Sequence, residues 1–239
     1  LPMGAQSMGA LIVILLVGFW MGREHLRGVF RKAFKNDPGV DDSDEIMSYR
    51  TAVYGFLICG LYLAAWHYGM GMELKFLPLF LFGTLIAYLG ITRVIAEAGV
   101  ISLRVPLMPQ SFGMILMGTD MLSQRTLVSV ALSYALTSDV KTTIMPALAH
   151  GLRLFETLHT HRRKLLWPLL VAMVSGVLAT FAYTIYMGYE NGAANYGAIF
   201  TQDAASGAWN EMVKKSKAPV GPRWKPLSFI AIGAAATGL

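Results

Sequence analysis

Four stretches of the chain are almost free of charge: "MGALIVILLVGFWMG" (8–22), "YRTAVYGFLICGLYLAAWHYGMGM" (49–72), "FLPLFLFGTLIAYLGI" (76–91) and "LLWPLLVAMVSGVLATFAYTIYMG" (165–188). A bilayer core about 30 Å thick takes roughly 20 apolar helical residues to cross. With their flanks these stretches predict spanning helices near 4–22, 49–72, 76–97 and 165–188. A fifth run, 226–239, amounts to about 14 residues, short of a full crossing, and reads as a truncated span. Two further apolar pieces, "FGMILMG" (112–118) and "LVSVALSYAL" (127–136), are each half a span long.

Between those two halves stand Asp120, Gln124 and Arg125. One straight helix over 112–137 would carry all three into the apolar layer, where each is expensive. Two half-helices folded into a re-entrant hairpin, with the polar residues at its tip, avoid that cost. Non-helical backbone at such depth is tolerated only where protein or a watery cavity surrounds it. A single crossing over 112–137 is the competing topology. Upstream, Ala98-Gly99 weakens the third span, and Pro106 and Pro109 delay a new helix until about Ser111. A different periodicity marks 142–158. There Ile144, Leu148, Leu152, Phe155 and Leu158 recur every three or four residues, which predicts an amphipathic interfacial helix.

Composition supports this all-α, polytopic membrane reading. Of 239 residues 55% are hydrophobic and only 14% charged, with mean hydropathy +0.51. Soluble domains carry about 25% charged residues. The chain starts at Leu1 and its last apolar run is short, so it reads as one membrane domain, 1–239, forming an internal part of a larger protein. Cys59 is the single cysteine and excludes an internal disulfide framework.

Charge sets the sidedness. Arg23, Arg27, Arg31, Lys32 and Lys35 follow the first span directly and mark a cytoplasmic basic helix. Five acids then fall within Asp37–Glu45, with Asp42 and Glu45 at capping-box spacing ahead of the second span. The hairpin topology puts 14 of the 20 Lys and Arg residues inside and leaves Lys75, Lys214, Lys215, Lys217, Arg223 and Lys225 outside. These features place the chain in a cytoplasmic (inner) membrane as a multi-pass protein.

Candidate chemistry concentrates at the end of the third span. Arg93 and Glu97 are four residues apart, so they share a helix face. Charges at membrane depth face the bundle interior and pair there. A broken segment beside them offers helix ends and backbone carbonyls to ions or polar ligands, as in many secondary transporters. Arg93, Glu97, Asp120, Gln124 and Arg125 therefore form the candidate substrate or ion site, with Asp120 the first choice for proton coupling. The competing reading ends the third span by Thr92 and makes Arg93–Glu97 an interfacial salt bridge.

"VDDSDEIMSYR" followed about forty residues later by "TRVIAEAG" resembles a family of large bacterial multi-spanning proteins loosely associated with the oligopeptide-transporter superfamily. The likeness rests on Asp41, Asp42, Ser43, Asp44, Glu45, Ser48, Tyr49 and Arg50, then on Thr92, Arg93, Ala96, Glu97, Ala98 and Gly99. It covers roughly 20–110 well and 145–239 less distinctively. It implies a transporter-like architecture and no established binding or catalytic residues.

Glu156 and His159 have Glu-x-x-His spacing, and His161 follows. Di-iron bundles use that spacing, but with a second such motif and two further glutamates on facing helices, and the sequence shows neither. These three residues stay as metal candidates, set against a structural role for the segment at headgroup level. His67, near a span end, is a lesser proton-relay candidate. The long stretch 189–226 predicts a surface helix near 203–216 and a basic, proline-containing linker. Gly18 and Gly22 have the spacing that permits close helix packing. No phosphate-loop, dinucleotide, nucleophile-elbow, zinc-protease or haem motif occurs. The net charge of +6 follows from topology and carries no nucleic-acid signature.

The leading expectation is a secondary transporter, or part of one, for a small polar solute such as a peptide. It has no enzymatic activity and no cofactor, and its partners are the bilayer, the solute, and a second copy or the rest of the polypeptide. The alternatives are a non-transporting membrane scaffold or complex subunit, and a membrane metal-binding protein.

Overall fold

The apolar runs fold as expected. In the structure, a computed structural model that describes residues 2–100, 103–137, 144–155, 162–192 and 202–238, they form α1 (Pro2–Met21), α3 (Tyr49–Gly69), α4 (Leu77–Ala98) and α8 (Leu166–Asn191). These four helices are long and apolar enough to cross a membrane. The remaining helices are α2 (Arg23–Lys35), α5 (Pro109–Met117), α6 (Gln124–Thr137), α7 (Ile144–Phe155), α9 (Gln202–Lys217) and α10 (Trp224–Gly238). Among the described residues the architecture is all α, with no strand.

At the centre α1, α4 and α10 run parallel. Gly9 lies against Ile230 and Ala234, Gly233 against Gln6, and Gly90 against Leu11. A Cβ at Gly9 would overlap the Ile230 carbonyl oxygen, and one at Gly233 the Gln6 carbonyl oxygen. In lipid, apolar side chains gain little by leaving their solvent, so small residues that let backbones touch carry much of the association. Glycine at both positions is what lets α1 and α10 meet. The short fifth run thus forms a helix of 15 residues packed along α1.

The half-helix hairpin is present, over slightly different bounds than 112–137. α5 begins at Pro109 rather than Ser111, because proline is well suited to the first helical position. α5 runs antiparallel to α4: Pro109 and Phe112 lie against Gly83, and Gly113 lies against Phe76. α6 turns back along α5, so that Gln110 at the start of one meets Ser133 and Thr137 at the end of the other. The tip, 118–123, lies at the end of the bundle that carries the α3–α4 turn.

Two expectations are corrected. The Asp42–Glu45 capping box does not form. α3 starts at Tyr49 with Ser48 as its cap, the Ser48 hydroxyl accepting from the Thr51 amide at 3.2 Å. Asp42 instead accepts from the Tyr49 amide at 3.1 Å, from seven residues away. A Ser cap directly on the first turn supersedes a box placed a turn too early. The stretch after α4 is also more than a loop at the helix end. Gly99, at φ 67°, closes α4, and 103–108 then runs back beside the core. Leu107 is buried with Met8, Leu11 and Ile91, while Leu103 and Val105 pack against the same cluster. Residues 103–108 thus lead into α5 without helix or strand.

α7 packs on α4 and fits the expected amphipathic helix over Ile144–Phe155. α9 matches the expected surface helix and anchors on the hairpin through Met212, which is buried against Met72, Phe76 and Met114. α8 buries none of its residues.

Candidate functional site

The five residues singled out from the sequence fall into two groups. Arg93 and Glu97 occupy the last turns of α4, and their side chains meet at 2.8 Å. The helix continues through both and ends at Ala98. Arg93 also donates from Nη1 to the Ile14 carbonyl at 3.2 Å, its guanidinium lying on the face of α1 that Gly18 leaves bare. Asp120, Gln124 and Arg125 are exposed at the hairpin tip. From Leu77, level with the tip, to Arg93 the α4 axis rises about 24 Å. The structure brings Arg93 to Glu97, and Asp120 near Gln124 and Arg125, but not the first pair to the second group. Glu156, His159 and His161 lie outside the described residues. Among the described residues there is no group of three potential metal ligands.

The hairpin tip is strapped from two sides. On one side, the Glu73 amide donates to the Thr126 hydroxyl at 3.1 Å, the Ser123 amide donates to Glu73 Oε1 at 3.3 Å, and the Lys75 ammonium reaches the Met121 carbonyl at 3.1 Å. Hydrogen bonding from Ser123, then the adjacent Lys75 charge, holds the Glu73 carboxyl below its ordinary value. On the other side, the linker after α9 pairs with the tip as a short strand would. The Thr119 amide donates to the Val220 carbonyl at 2.7 Å, the Val220 amide to the Thr119 hydroxyl at 2.9 Å, and the Arg223 amide to the Ile115 carbonyl at 3.1 Å. Gly118, at φ 84°, ends α5 and touches Gly221, where a side chain would meet both strain and backbone.

Inside the hairpin lies a polar face that the sequence reading missed. Thr126, Ser129, Ser133 and Thr137 are all buried along α6. Gln110, wholly buried on α5, donates from Nε2 to the Ser133 hydroxyl at 2.9 Å and to the Thr137 hydroxyl. Those hydroxyls spend their own protons on α6 carbonyls, Ser133 on Val130 at 2.7 Å and Thr137 on Ser133 at 3.1 Å. Both amide hydrogens of Gln110 are therefore used, and its Oε1 is a buried acceptor with no partner among the described residues, as is the hydroxyl oxygen of Ser129. An unmet buried polar group costs about 1–3 kcal/mol. The spacing signal existed, since hydroxyls at 126, 129, 133 and 137 follow the helical period, but serine and threonine barely lower a windowed hydropathy. His67 is also buried, between the Trp66 and Phe80 rings, with Nδ1 unpartnered.

On another side of the hairpin, α5, α9 and the linker enclose a cavity of about 410 Å³ lined by Ser111, Met114, Ile115, Thr119, Glu211, Lys215, Val220 and Arg223. Cavities of about 300–1,000 Å³ with few polar groups are typical small-molecule sites. Glu211 is engaged at both oxygens: Oε1 takes the Lys215 ammonium at 2.6 Å, and Oε2 accepts from the Tyr134 hydroxyl at 3.2 Å. Lys215 also lies 3.5 Å from Met114 Sδ. Arg223 makes no ion pair among the described residues.

No curated protein and no solved structure matches this chain. Residues 2–239 match, over nearly the whole length, a family described only as of unknown function, and the chain belongs to that family, DUF6785.

Proposed function

We propose that the protein is an integral membrane transporter, or the core of one, that moves a small polar solute through the region around the α5–α6 hairpin. The observation that carries this reading is the hairpin itself. Two half-helices stand among apolar helices and bury Gln110, Ser129, Ser133 and Thr137, with two oxygen acceptors unmet. A purely structural hairpin would be cheaper with an apolar face, whereas a solute or ion that brings its own donors or charge makes such acceptors useful. The cavity beside the hairpin, with its three ionic side chains, and the non-helical stretch 103–108 that feeds α5 support the same reading. Multi-pass insertion in a bacterial cytoplasmic membrane, secondary transport without enzymatic activity, and a peptide-like solute, the class implied by the sequence resemblance, belong to this proposal. In it Arg93 ties α4 to α1, and Asp120 with Arg125 faces the aqueous mouth.

The test is labelling from water. Single cysteines at Ser111, Ser129, Ser133 and Val128 in a Cys59→Ala background are exposed to a membrane-impermeant thiol reagent from each side in turn. Labelling of 111, 129 and 133 supports a solvated path when the lipid-facing control at 128 stays protected. Uniform protection of all three sinks the transporter reading. The second reading, a membrane scaffold, is favoured by α8, none of whose 26 residues is buried. It predicts protection inside the hairpin together with a stable complex formed through α8.

A further inference from the structure

We infer that the cavity between α5, α9 and the 218–223 linker is a carboxylate site, in which Arg223 and Lys215 bind the acid group of a small solute and Met114, Ile115 and Val220 hold its apolar body. The inference rests on the transporter reading for its biological use, but the site stands on its own geometry.

The charge balance of the cavity leads there. Three ionic side chains line it: Glu211, Lys215 and Arg223. Glu211 is already satisfied at both oxygens, by Lys215 at 2.6 Å and by the Tyr134 hydroxyl at 3.2 Å. It therefore serves as an internal counter-ion to Lys215, with a hydrogen bond at each of its oxygens. Lys215 carries three donors; one goes to Glu211, and a second lies 3.5 Å from a thioether, a weak acceptor. Arg223 brings five donors in a flat fork and has no ion-pair partner among the described residues. Among the described residues one positive charge in this wall remains uncompensated, displayed in the geometry that suits a planar, two-oxygen anion. α10 begins at Trp224, immediately after Arg223, so the positive end of a helix dipole adds to the same field.

The position of Arg223 is fixed independently of its side chain. Its amide donates to the Ile115 carbonyl at 3.1 Å, and the neighbouring Val220 is bonded both ways to Thr119. The guanidinium thus hangs from a backbone that the hairpin tip holds in register. The rest of the wall is mostly apolar, with the Ser111 and Thr119 hydroxyls at its edges. Such a wall fits an acid with a short aliphatic body better than a sugar or an inorganic anion. The Thr119–Val220 strap closes one side of the cavity.

The experiment uses the purified full chain in nanodiscs of phosphatidylcholine. N-acetyl-leucine is titrated by calorimetry against N-acetyl-leucinamide, which has the same body without the charge. The acid is expected to bind at least tenfold more tightly than the amide. Arg223→Gln should remove that preference, and Arg223→Lys should keep part of it. Lys225→Gln, which changes a nearby charge outside the cavity wall, should leave it unchanged. Equal binding of acid and amide overturns the site, as does a preference that survives Arg223→Gln in protein with unaltered thermal unfolding. A second arm replaces a fifth of the lipid with phosphatidylglycerol. If the acid is then displaced tenfold or more in the parent protein, the occupant is a lipid phosphate, and the solute assignment is overturned. Binding of the acid without labelling of the hairpin interior from water would retain the site and remove the transport reading.

Discussion

Gln110 offers the sharpest separation of folding from function. Replacing it with methionine keeps its length and volume and removes its amide. The two hydrogen bonds to Ser133 and Thr137 disappear. Side-chain hydrogen bonds between membrane helices average about 0.6 kcal/mol, and in water-soluble proteins about 1 kcal/mol, so the loss is about 1–2 kcal/mol. Against it stands the buried Oε1, which has no partner and whose removal relieves about 1–3 kcal/mol. Ser133 and Thr137 are not stranded by the change, because each still donates to an α6 carbonyl. The expected sum lies between about 1 kcal/mol destabilising and about 2 kcal/mol stabilising. For a chain of this size any fall in thermal midpoint is therefore less than about 4 °C. Gln110→Ala, which adds a void to the same hydrogen-bond loss, should be worse by about 2 kcal/mol.

Thermal unfolding of the two variants in a single detergent or lipid gives the stabilities, and uptake of solute into proteoliposomes gives the function. The combination expected is a methionine variant that folds as well as the parent and transports nothing. A drop of more than about 8 °C for Gln110→Met, above 2 kcal/mol on the same scale, would refute the reasoning. It would mean that Oε1 is satisfied in the folded protein and that the amide is a structural bridge.

Three further expectations follow from other contacts. Gly233→Val places a side chain against the Gln6 carbonyl, with no flexible atom to yield, so it should destabilise by at least about 1–3 kcal/mol, whereas Gly60→Val, in open space on α3, should be nearly neutral in the same unfolding assay. At the other end of α4, Glu97→Gln removes a partly exposed i,i+4 pair and should cost less than about 1 kcal/mol. Arg93→Gln also loses the bond to the Ile14 carbonyl and should cost more, so equal costs would disprove the link to α1. The third concerns pH. The Glu73 carboxyl is held below its ordinary value by Ser123 and Lys75, so its stabilising effect is complete above about pH 4.3, the unfolded value. That effect is lost as pH falls through the lowered folded value. Glu73→Gln should therefore flatten the acid side of a stability–pH profile measured from pH 6 to 3, and an unchanged profile would remove Glu73 as a strap of the tip.

What could be read from the sequence and what could not divide along a physical line. Hydropathy reports how a segment partitions as a whole, so α1, α3, α4 and α8 were legible, and so was the need to break 112–137 around Asp120, Gln124 and Arg125. Helix-end chemistry was legible only in part: Gly99 closes α4, but Pro109 opens α5 instead of delaying it, and Ser48 caps α3 in place of the more conspicuous Asp42–Glu45 spacing. The elements that place the candidate sites were not legible because they are contacts between distant parts of the chain. Thr119 pairs with Val220, Glu73 with Ser123, and Tyr134 with Glu211, and no local pattern encodes any of these pairs.

The search for charge in apolar surroundings led to Arg93 and Glu97, which pair with each other and with α1. Groups that look costly in a sequence are often those the fold has already compensated. The uncompensated groups are quieter. Gln110 and Ser129 carry no charge, sit in half-helices of moderate hydropathy, and differ from ordinary packing residues only in having acceptors that nothing in the fold fills. Arg223 looks like one more basic residue in a linker until Glu211 is seen to be taken by Lys215 and Tyr134. In a fold whose helices meet through glycine and aliphatic contacts, polar capacity that remains after all internal pairing is the most direct pointer to a ligand. Among the described residues that remainder includes Gln110 and Ser129 inside the α5–α6 hairpin and Arg223 beside it, together with Thr92 and His67, and it leaves out the Arg93–Glu97 pair that charge alone singles out.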